Sequence, residues 1–247
     1  KIGTKLLATV VKKSAKRIDR LIAVSLPAAE FAELTYGIDP IVIPNPVKLP
    51  IFSVKKYMQQ SEKIKLLYLG RLVKRKGVME LLKAVKLLEE SSKKCDYLLE
   101  IAGSGHLIKD VDSFIRSNSL RDKVKMLGFI DESEKMKLLS KADIAIFPSM
   151  GGESFGIVLI EAMAAGAGVT IGGNNPGYSS VLGDKQVLFD PKNTREFADL
   201  INGLMKSPKL RSNIHAQQQK IVKQFDVEVV GPKILNEYRS VIAKAGH

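Results

Sequence analysis

Between Ile64 and Pro191 the chain alternates short apolar runs with helix-length segments, and this rhythm constrains the fold more than any other feature. The runs are KLLYLG (65–70), YLLEIAG (97–103), VKMLGF (124–129), IAIFPS (144–149), GVTIGG (168–173) and QVLFDP (186–191), each of strand length. The pieces between them, such as VMELLKAVKLLEE and EKMKLLSKA, place Leu, Val, Met or Ala at three- and four-residue spacing, the period of an amphipathic helix. Strand and helix alternating in this way predict an α/β fold with a doubly wound, mainly parallel sheet covered on both faces. Ligands of such sheets bind at the carboxyl ends of the strands, where helix N-termini also point.

The two ends depart from this rhythm. Residues 4–20 (TKLLATVVKKSAKRIDR) put Leu7, Val11, Ala15 and Ile18 on one helical stripe with Lys12, Lys13, Lys16, Arg17 and Arg20 largely elsewhere. Such a helix packs its stripe on the following segment LIAVS or lies on an anionic membrane surface. After Ile41–Ile43, PNPVKLPIF carries three prolines in nine residues and suits an extended linker. The chain is accordingly divided into residues 1–50, 51–225 and 226–247.

No run reaches the roughly eighteen apolar residues of a membrane span, and the N-terminus lacks the apolar core of a secretory signal, so a cytoplasmic protein is expected, peripheral to the membrane if the basic helix binds lipid. Cys95 has no partner cysteine, which excludes an internal disulfide and points to a solvated, idle thiol. Residues 1–94 hold 20 Lys+Arg against 8 Asp+Glu, whereas the remainder balances at 19 against 18. This basic third attracts phosphate-bearing partners without saying which.

Two segments carry candidate chemistry. GRLVKRKG, Gly70–Gly77, follows a strand and opens a helix, the place for a phosphate: Arg71 can grip it through two parallel N–H groups and Lys76 can supply a point charge. MGGESFGIVLIEAMAAGAG, Met150–Gly168, follows IAIFPS. Its glycines permit close backbone approach, and Glu153 and Ser154 stand at or just before an apolar helix. Glu161 interrupts that helix; a carboxylate there needs water, a partner such as Arg71, or a functional role. Three other patterns are weaker. Asp110-Val111-Asp112 falls within an amphipathic helix rather than at a strand end, so no metal is expected. GSGHLI lacks the third glycine of a dinucleotide fingerprint. His106, His215 and His247 read as surface or helix-end histidines.

Together, GR with KG five residues on, AGSG after the next strand, and two glutamates with seven residues between them resemble glycosyltransferase family 4, retaining enzymes with two Rossmann-like domains in the GT-B arrangement. The resemblance covers about residues 20–242, and GGESFGIVLIEAMAAG is especially similar to phosphatidylinositol mannosyltransferases of actinobacteria. It implies that Arg71 and Lys76 bind the two phosphates and stabilise the departing nucleotide, with Gly70 and Gly103 lining the site. It further implies that Glu153 reaches hydroxyls of the donor sugar, that Ser154, Phe155, Gly156, Ile157 and Val158 present backbone groups to sugar and phosphate, and that Glu161 accepts from the ribose. GFIDESEK (128–135) matches the base-contacting segment, with Ile130, Glu132 and Lys135. Guanine offers donors at N1 and N2 and an acceptor at O6, which suit Glu132 and Lys135 together and favour GDP-mannose over a UDP-sugar. DESEK also reads as a capped, solvated helix start.

The resemblance departs at the N-terminus. Residues 19–47 resemble only the last strand, helix and exit linker of an acceptor-binding domain, Lys1 stands where a methionine would, and 226–247 resembles the helix that crosses back to that domain. A piece of a longer enzyme is therefore expected, able to bind nucleotide and poor at transfer alone. The expected function is a retaining glycosyltransferase moving a hexose, most simply mannose, without cofactor or metal. Its expected partners are a sugar nucleotide, the missing N-terminal Rossmann-like domain and an anionic membrane surface. Two other functions compete: a sugar-nucleotide epimerase, for which acid/base residues are lacking, and a basic module for nucleic acid or membrane. Nucleic acid is not expected, because the aromatics of the basic third form no stacking pattern.

Overall fold

The structure, a computed structural model, describes residues 18–37, 39–49, 63–90, 95–183 and 185–245. Most of the basic amphipathic segment of residues 4–20, part of the proline-rich linker and His247 lie outside the described residues.

The strand-length runs become six parallel strands: β3 (Ile64–Leu69), β4 (Tyr97–Ala102), β5 (Val124–Gly128), β6 (Ile144–Phe147), β7 (Val169–Gly173) and β8 (Leu188–Phe189), after a separate N-terminal pair, β1 (Ile22–Ala23) and β2 (Ile41–Val42). Between them run α1 (Leu26–Tyr36), α2 (Val78–Glu90), α3 (Ile108–Ser117), α4 (Glu132–Lys141), α5 (Ile157–Ala164) and α6 (Pro176–Leu182), and after β8 come α7 (Thr194–Lys206), α8 (Pro208–Ile221) and α9 (Val227–Ala245). The sheet is therefore the doubly wound parallel sheet that the alternation predicts. QVLFDP yields only two strand residues, because Lys185–Val187 forms a 3₁₀ turn first.

The strand order is β5-β4-β3-β6-β7-β8. From β3 the chain winds to one side through β4 and β5, then returns to the other edge of β3 and winds outward through β6, β7 and β8. Right-handed crossovers in opposite directions place their helices on opposite faces. Helices α2, α3 and α7 pack together, as do α4 and α5, with α8 against α5 and β7. The reversal at β3 and β6 opens a crevice at their carboxyl ends.

Burial explains the elements. Strands β3, β6 and β7 are covered on both faces and are apolar rather than alternating; all residues of β6 and β7 are buried. Helix α2 buries Val78, Leu81, Leu82, Val85 and Leu88 at helical spacing, and leaves Lys83 and Lys86 outward.

The N-terminal piece is a small parallel unit, Ile22 beside Ile41 and Ala23 beside Val42, with α1 between. Ser25 caps α1 by accepting from Ala28 N, and its hydroxyl donates to the Ser154 carbonyl, which ties this unit to the glycine-rich loop. Val47 exchanges backbone hydrogen bonds with Phe225 and Val227 at 2.8 and 3.0 Å. Helix α9 lies beside the first described residues, with Arg20 Nε 3.0 Å from Glu237 Oε2.

Candidate functional site

The loops that leave β3, β4 and β6 are fastened to one another at the crevice through backbone contacts that only glycine allows. Gly103 has φ +136°, and a Cβ there would stand 1.9 Å from Gly70 O; one on Gly105 would stand 2.3 Å from Leu72 O. The AGSG sequence therefore lets the β4 loop lie directly on the β3 loop, with Gly70 N donating to Ala102 O and Leu72 N to Ser104 O at 3.0 and 2.8 Å. On the other side Gly77, at φ +71°, has no room for a Cβ because Pro148 O would be 1.9 Å away. Met150 N donates to Arg75 O at 2.9 Å, so the loops after β3 and β6 are joined beside the crevice.

Glu153 is the centre of this junction. Its Oε1 accepts from Arg75 Nη1 at 2.5 Å, Lys76 Nζ at 2.8 Å and Ser149 Oγ at 2.7 Å. Its other oxygen has no hydrogen-bond partner among the described residues. Burial pushes the Glu153 carboxyl up, but the Lys76 and Ser149 hydrogen bonds and the Lys76 and Arg75 charges outweigh it and hold the group below the usual carboxylate range. Tyr68 and Tyr178 are shifted in the opposite sense, chiefly by burial and then by the Glu153 charge, so both are neutral donors. The Tyr68 hydroxyl donates to Arg71 O at 3.0 Å and so fixes the backbone from which the exposed Arg71 side chain projects. Arg71 makes no ion pair among the described residues.

Helix α5 begins at Ile157, a few residues after Glu153 and Ser154, with Gly156 as its N-cap at φ 123° and no capping side chain. A Cβ on Gly156 would meet the Tyr178 ring at 2.8 Å. The first-turn amides of Ile157 and Val158 consequently have no acceptor among the described residues and face the end of the sheet where an anion is stabilised. Phe155 is buried edge-on against Phe225, with ring centroids 5.5 Å apart, and anchors this turn.

A second cluster joins α4 to α5. Lys135 Nζ lies 2.9 Å from Glu161 Oε1 and 2.7 Å from Glu132 Oε1. Glu161 is therefore partnered by Lys135, not by Arg71. Burial lowers the Lys135 pKa, and the hydrogen bonds that its ammonium donates to Glu132 and Glu161, with their charges, reverse that into a net rise. Glu132 is mostly exposed and Ile130 half-buried, and Asp131 caps α4 by accepting from Glu134 N at 2.8 Å, the capped helix start that DESEK predicts.

The structure thus brings Lys76 to Glu153, Gly70 to Gly103, and Glu132 and Lys135 to Glu161, while Arg71 stands apart from the other side chains. Sequence reasoning missed Arg75 and Ser149 at the centre; four cations in GRLVKRKG do not reveal which of them turns inward. Two other expectations are corrected and a third holds. His215 is buried within α8 rather than at the surface, its Nδ1 3.0 Å from both Ala167 O and Gly168 O. Cys95 is half-buried against the core, because Tyr97 two residues on is fully inserted. Asp110 and Asp112 do lie on a helix, and Asp112 pairs with Arg116 at 2.7 Å. Among the described residues there is no group of three or more His, Cys, Asp or Glu placed to hold a metal.

A doubly wound sheet with cations, a carboxylate and an open helix N-terminus at its switch point defines a domain of the nucleotide-binding α/β class. The chain belongs to the family described as glycosyl transferases group 1, whose sequence profile matches residues 52–221. It is 32% identical over 227 residues to the phosphatidyl-myo-inositol mannosyltransferase of Mycobacterium leprae, a match that covers 89% of this chain and 59% of that protein. An uncharacterised glycosyltransferase of Methanocaldococcus jannaschii is 39% identical over 115 residues, 46% of this chain and 28% of its own length. The chain thus spans only part of these curated relatives. Among solved structures, the sucrose-phosphate synthase of Thermosynechococcus elongatus superposes with a TM-score of 0.81 at 21% identity, covering 97% of this chain and 62% of that one. Anabaena HepE in complex with UDP and glucose superposes at 0.77 and 22% identity, covering 94% and 66%. At these identities the superpositions define the fold, a Rossmann-like unit of GT-B glycosyltransferases.

Proposed function

We propose that this chain is the donor-binding part of a retaining glycosyltransferase that moves a hexose, with mannose carried by GDP as the favoured donor. The observation that carries the proposal is the position of Lys76 and Glu153. They are a charged pair at the carboxyl ends of β3 and β6, where the loops are closed by backbone contacts and the oxygen facing away from Lys76 is unused. A nucleoside diphosphate in the crevice would meet Arg71, Lys76 and the open amides of α5, all donors. Fixed cations and amides stabilise charge that grows on the diphosphate as the bond to the sugar breaks. Glu153 would accept from sugar hydroxyls through its free oxygen, and Glu161, steadied by Lys135, from the ribose diol. Among the described residues no closely spaced carboxylate pair of the glycosidase type accompanies Glu153, and the departing phosphate is the base that takes the acceptor's proton on the face it leaves.

GDP is favoured because Glu132 and Lys135 are adjacent, acceptor beside donor, which guanine uses fully and uracil does not. The mannosyltransferase name of the M. leprae relative supports the sugar, and the phosphatidyl-myo-inositol in that name supports a lipid acceptor. No described helix is long and apolar enough to cross a membrane. Because the chain covers 59% of that relative, transfer is proposed for a protein in which a second Rossmann-like domain faces the crevice. Exposed Phe31, Leu34, Tyr238 and Ile242 are apolar surface for it to cover. Neither a metal nor a cofactor enters the proposed reaction.

The test is a calorimetric panel of GDP, UDP and ADP with the same chain. Preferential binding of GDP supports the proposal; preference for UDP, the nucleotide held by HepE, would keep the site and replace the donor; steeply salt-dependent DNA binding with no nucleotide response would replace it with the basic-module alternative.

A further inference from the structure

Arg75 is spent differently from the other cations of its loop. Its guanidinium reaches across to the β6 loop, with Nη1 2.5 Å from Glu153 Oε1 and 3.4 Å from both Gly151 O and Gly152 O. Its own carbonyl accepts from Met150 N at 2.9 Å and lies 3.2 Å from Ser149 Oγ, whose one proton serves the shorter contact with Glu153. Side chain and backbone of one residue therefore hold the glycine-rich loop at both ends of Ser149–Glu153. The flanking glycines need this. Gly151 and Gly152 have φ +151° and +70°, conformations that lend the loop no stiffness of their own, and a Cβ on either would have open space or only the Arg75 side chain near it.

Lys76 shares the same carboxylate oxygen but is the cation placed to answer a diphosphate. When its ammonium turns to phosphate, Glu153 loses one of two charged partners, and a loop carrying two such glycines is free to drift. We propose that Arg75 is a positioning residue for the donor sugar: it keeps Glu153 and its loop in register after the diphosphate has drawn Lys76 away. This rests on the donor site proposed above and adds a division of labour within it. Arg71 and Lys76 serve the diphosphate, and Arg75 serves the hexose through Glu153 without touching the nucleotide.

The division is read by comparing a nucleoside diphosphate with its sugar conjugate. GDP and GDP-mannose, with UDP and UDP-glucose in parallel, are titrated into the 247-residue chain and into Arg75→Ala, Arg75→Lys and Lys76→Ala. Arg75→Ala is expected to leave diphosphate affinity within about twofold while removing roughly tenfold of the additional affinity due to the hexose, the scale of one charge-assisted contact. Arg75→Lys, which keeps the charge but not the Nη1 group that also reaches the Gly151 and Gly152 carbonyls, should restore part of that loss, whereas a general structural defect would not be rescued in this selective way. Lys76→Ala should weaken diphosphate and conjugate alike. Arg75 is half-exposed, so folding of each variant is checked by its thermal midpoint, and Arg75→Gln serves if the alanine variant does not fold. Equal loss of GDP and GDP-mannose affinity in Arg75→Ala would move Arg75 into the diphosphate grip and overturn the proposal, as would an unchanged advantage of the conjugate. Failure of the unaltered chain to bind any of the four ligands would overturn the donor site itself.

Discussion

The two ends of the parallel sheet carry polar groups that are used in opposite ways. At the amino end, α8 presents Arg211, His215 and Gln218 on one inward stripe. Arg211 Nη1 donates to Leu204 O and Met205 O at 2.6 and 2.8 Å, the His215 ring meets Ala167 O and Gly168 O, and Gln218 exchanges bonds of 2.7 and 2.9 Å with both backbone groups of Thr170. These partners are backbone atoms at helix and strand ends, and each side chain is at most 9% exposed. At the carboxyl end, Glu153, Lys76 and Arg75 bond largely to one another, remain partly open, and leave one carboxylate oxygen and the first amides of α5 unused. Polar groups committed to backbone carbonyls hold the sheet together; charges paired with charges can exchange partners with a ligand. The difference separates scaffold from site without reference to any relative.

Breaking the amino end should cost stability and nothing else. Gln218→Leu strands the Thr170 N–H and C=O inside the protein and should lower stability by about 2–4 kcal/mol, with nucleotide affinity of the folded fraction unchanged; denaturant titration beside calorimetry checks both. Breaking the carboxyl end should do the reverse. Lys76→Ala should weaken diphosphate binding by roughly tenfold to a hundredfold, while stability moves by less than about 1 kcal/mol, since its partner keeps Arg75 and Ser149. A smaller effect separates the two ends by pH. Because the Glu153 carboxyl is held below its ordinary value of 4.5, its ion pairs add stability above that value that is lost as pH falls through the depressed pKa. Glu153→Gln should flatten that acid limb in thermal melts, and an unaltered limb would show that the charge network contributes nothing there. The smallest effect is expected for Arg71→Lys. It keeps a charge on an exposed side chain and should cost only a few-fold in affinity, against a larger loss for Arg71→Ala.

How much of this was legible in the sequence follows the same division. The strands β3, β6 and β7 are near-continuous apolar runs because both faces of the sheet are covered there, so their type and parallel sense could be read directly. In the sequence, close backbone approach is assigned to Gly151 and Gly152 and no such role to the glycines of AGSG and KG, because the atoms that these last approach, Gly70 O and Pro148 O, come from other loops. Glu161 stood out as a charge in an apolar helix, yet its partner on α4 could not be read, since Lys135 and Glu161 meet only through packing of α4 on α5. The α8 stripe was invisible for a physical reason. Hydrophobic periodicity treats Arg, His and Gln as outward-facing, and here they turn inward because carbonyls of neighbouring elements lack other partners.

The measurement that bears most directly on the central claim locates the nucleotide. GDP is titrated calorimetrically into the unaltered chain, Arg71→Ala and Glu161→Ala, one variant from each side of the crevice. Binding with a Kd of about micromolar order that is lost or weakened at least roughly tenfold in both variants is the predicted result. GDP binding that survives both substitutions unchanged would contradict it and place the nucleotide away from the β3/β6 switch point.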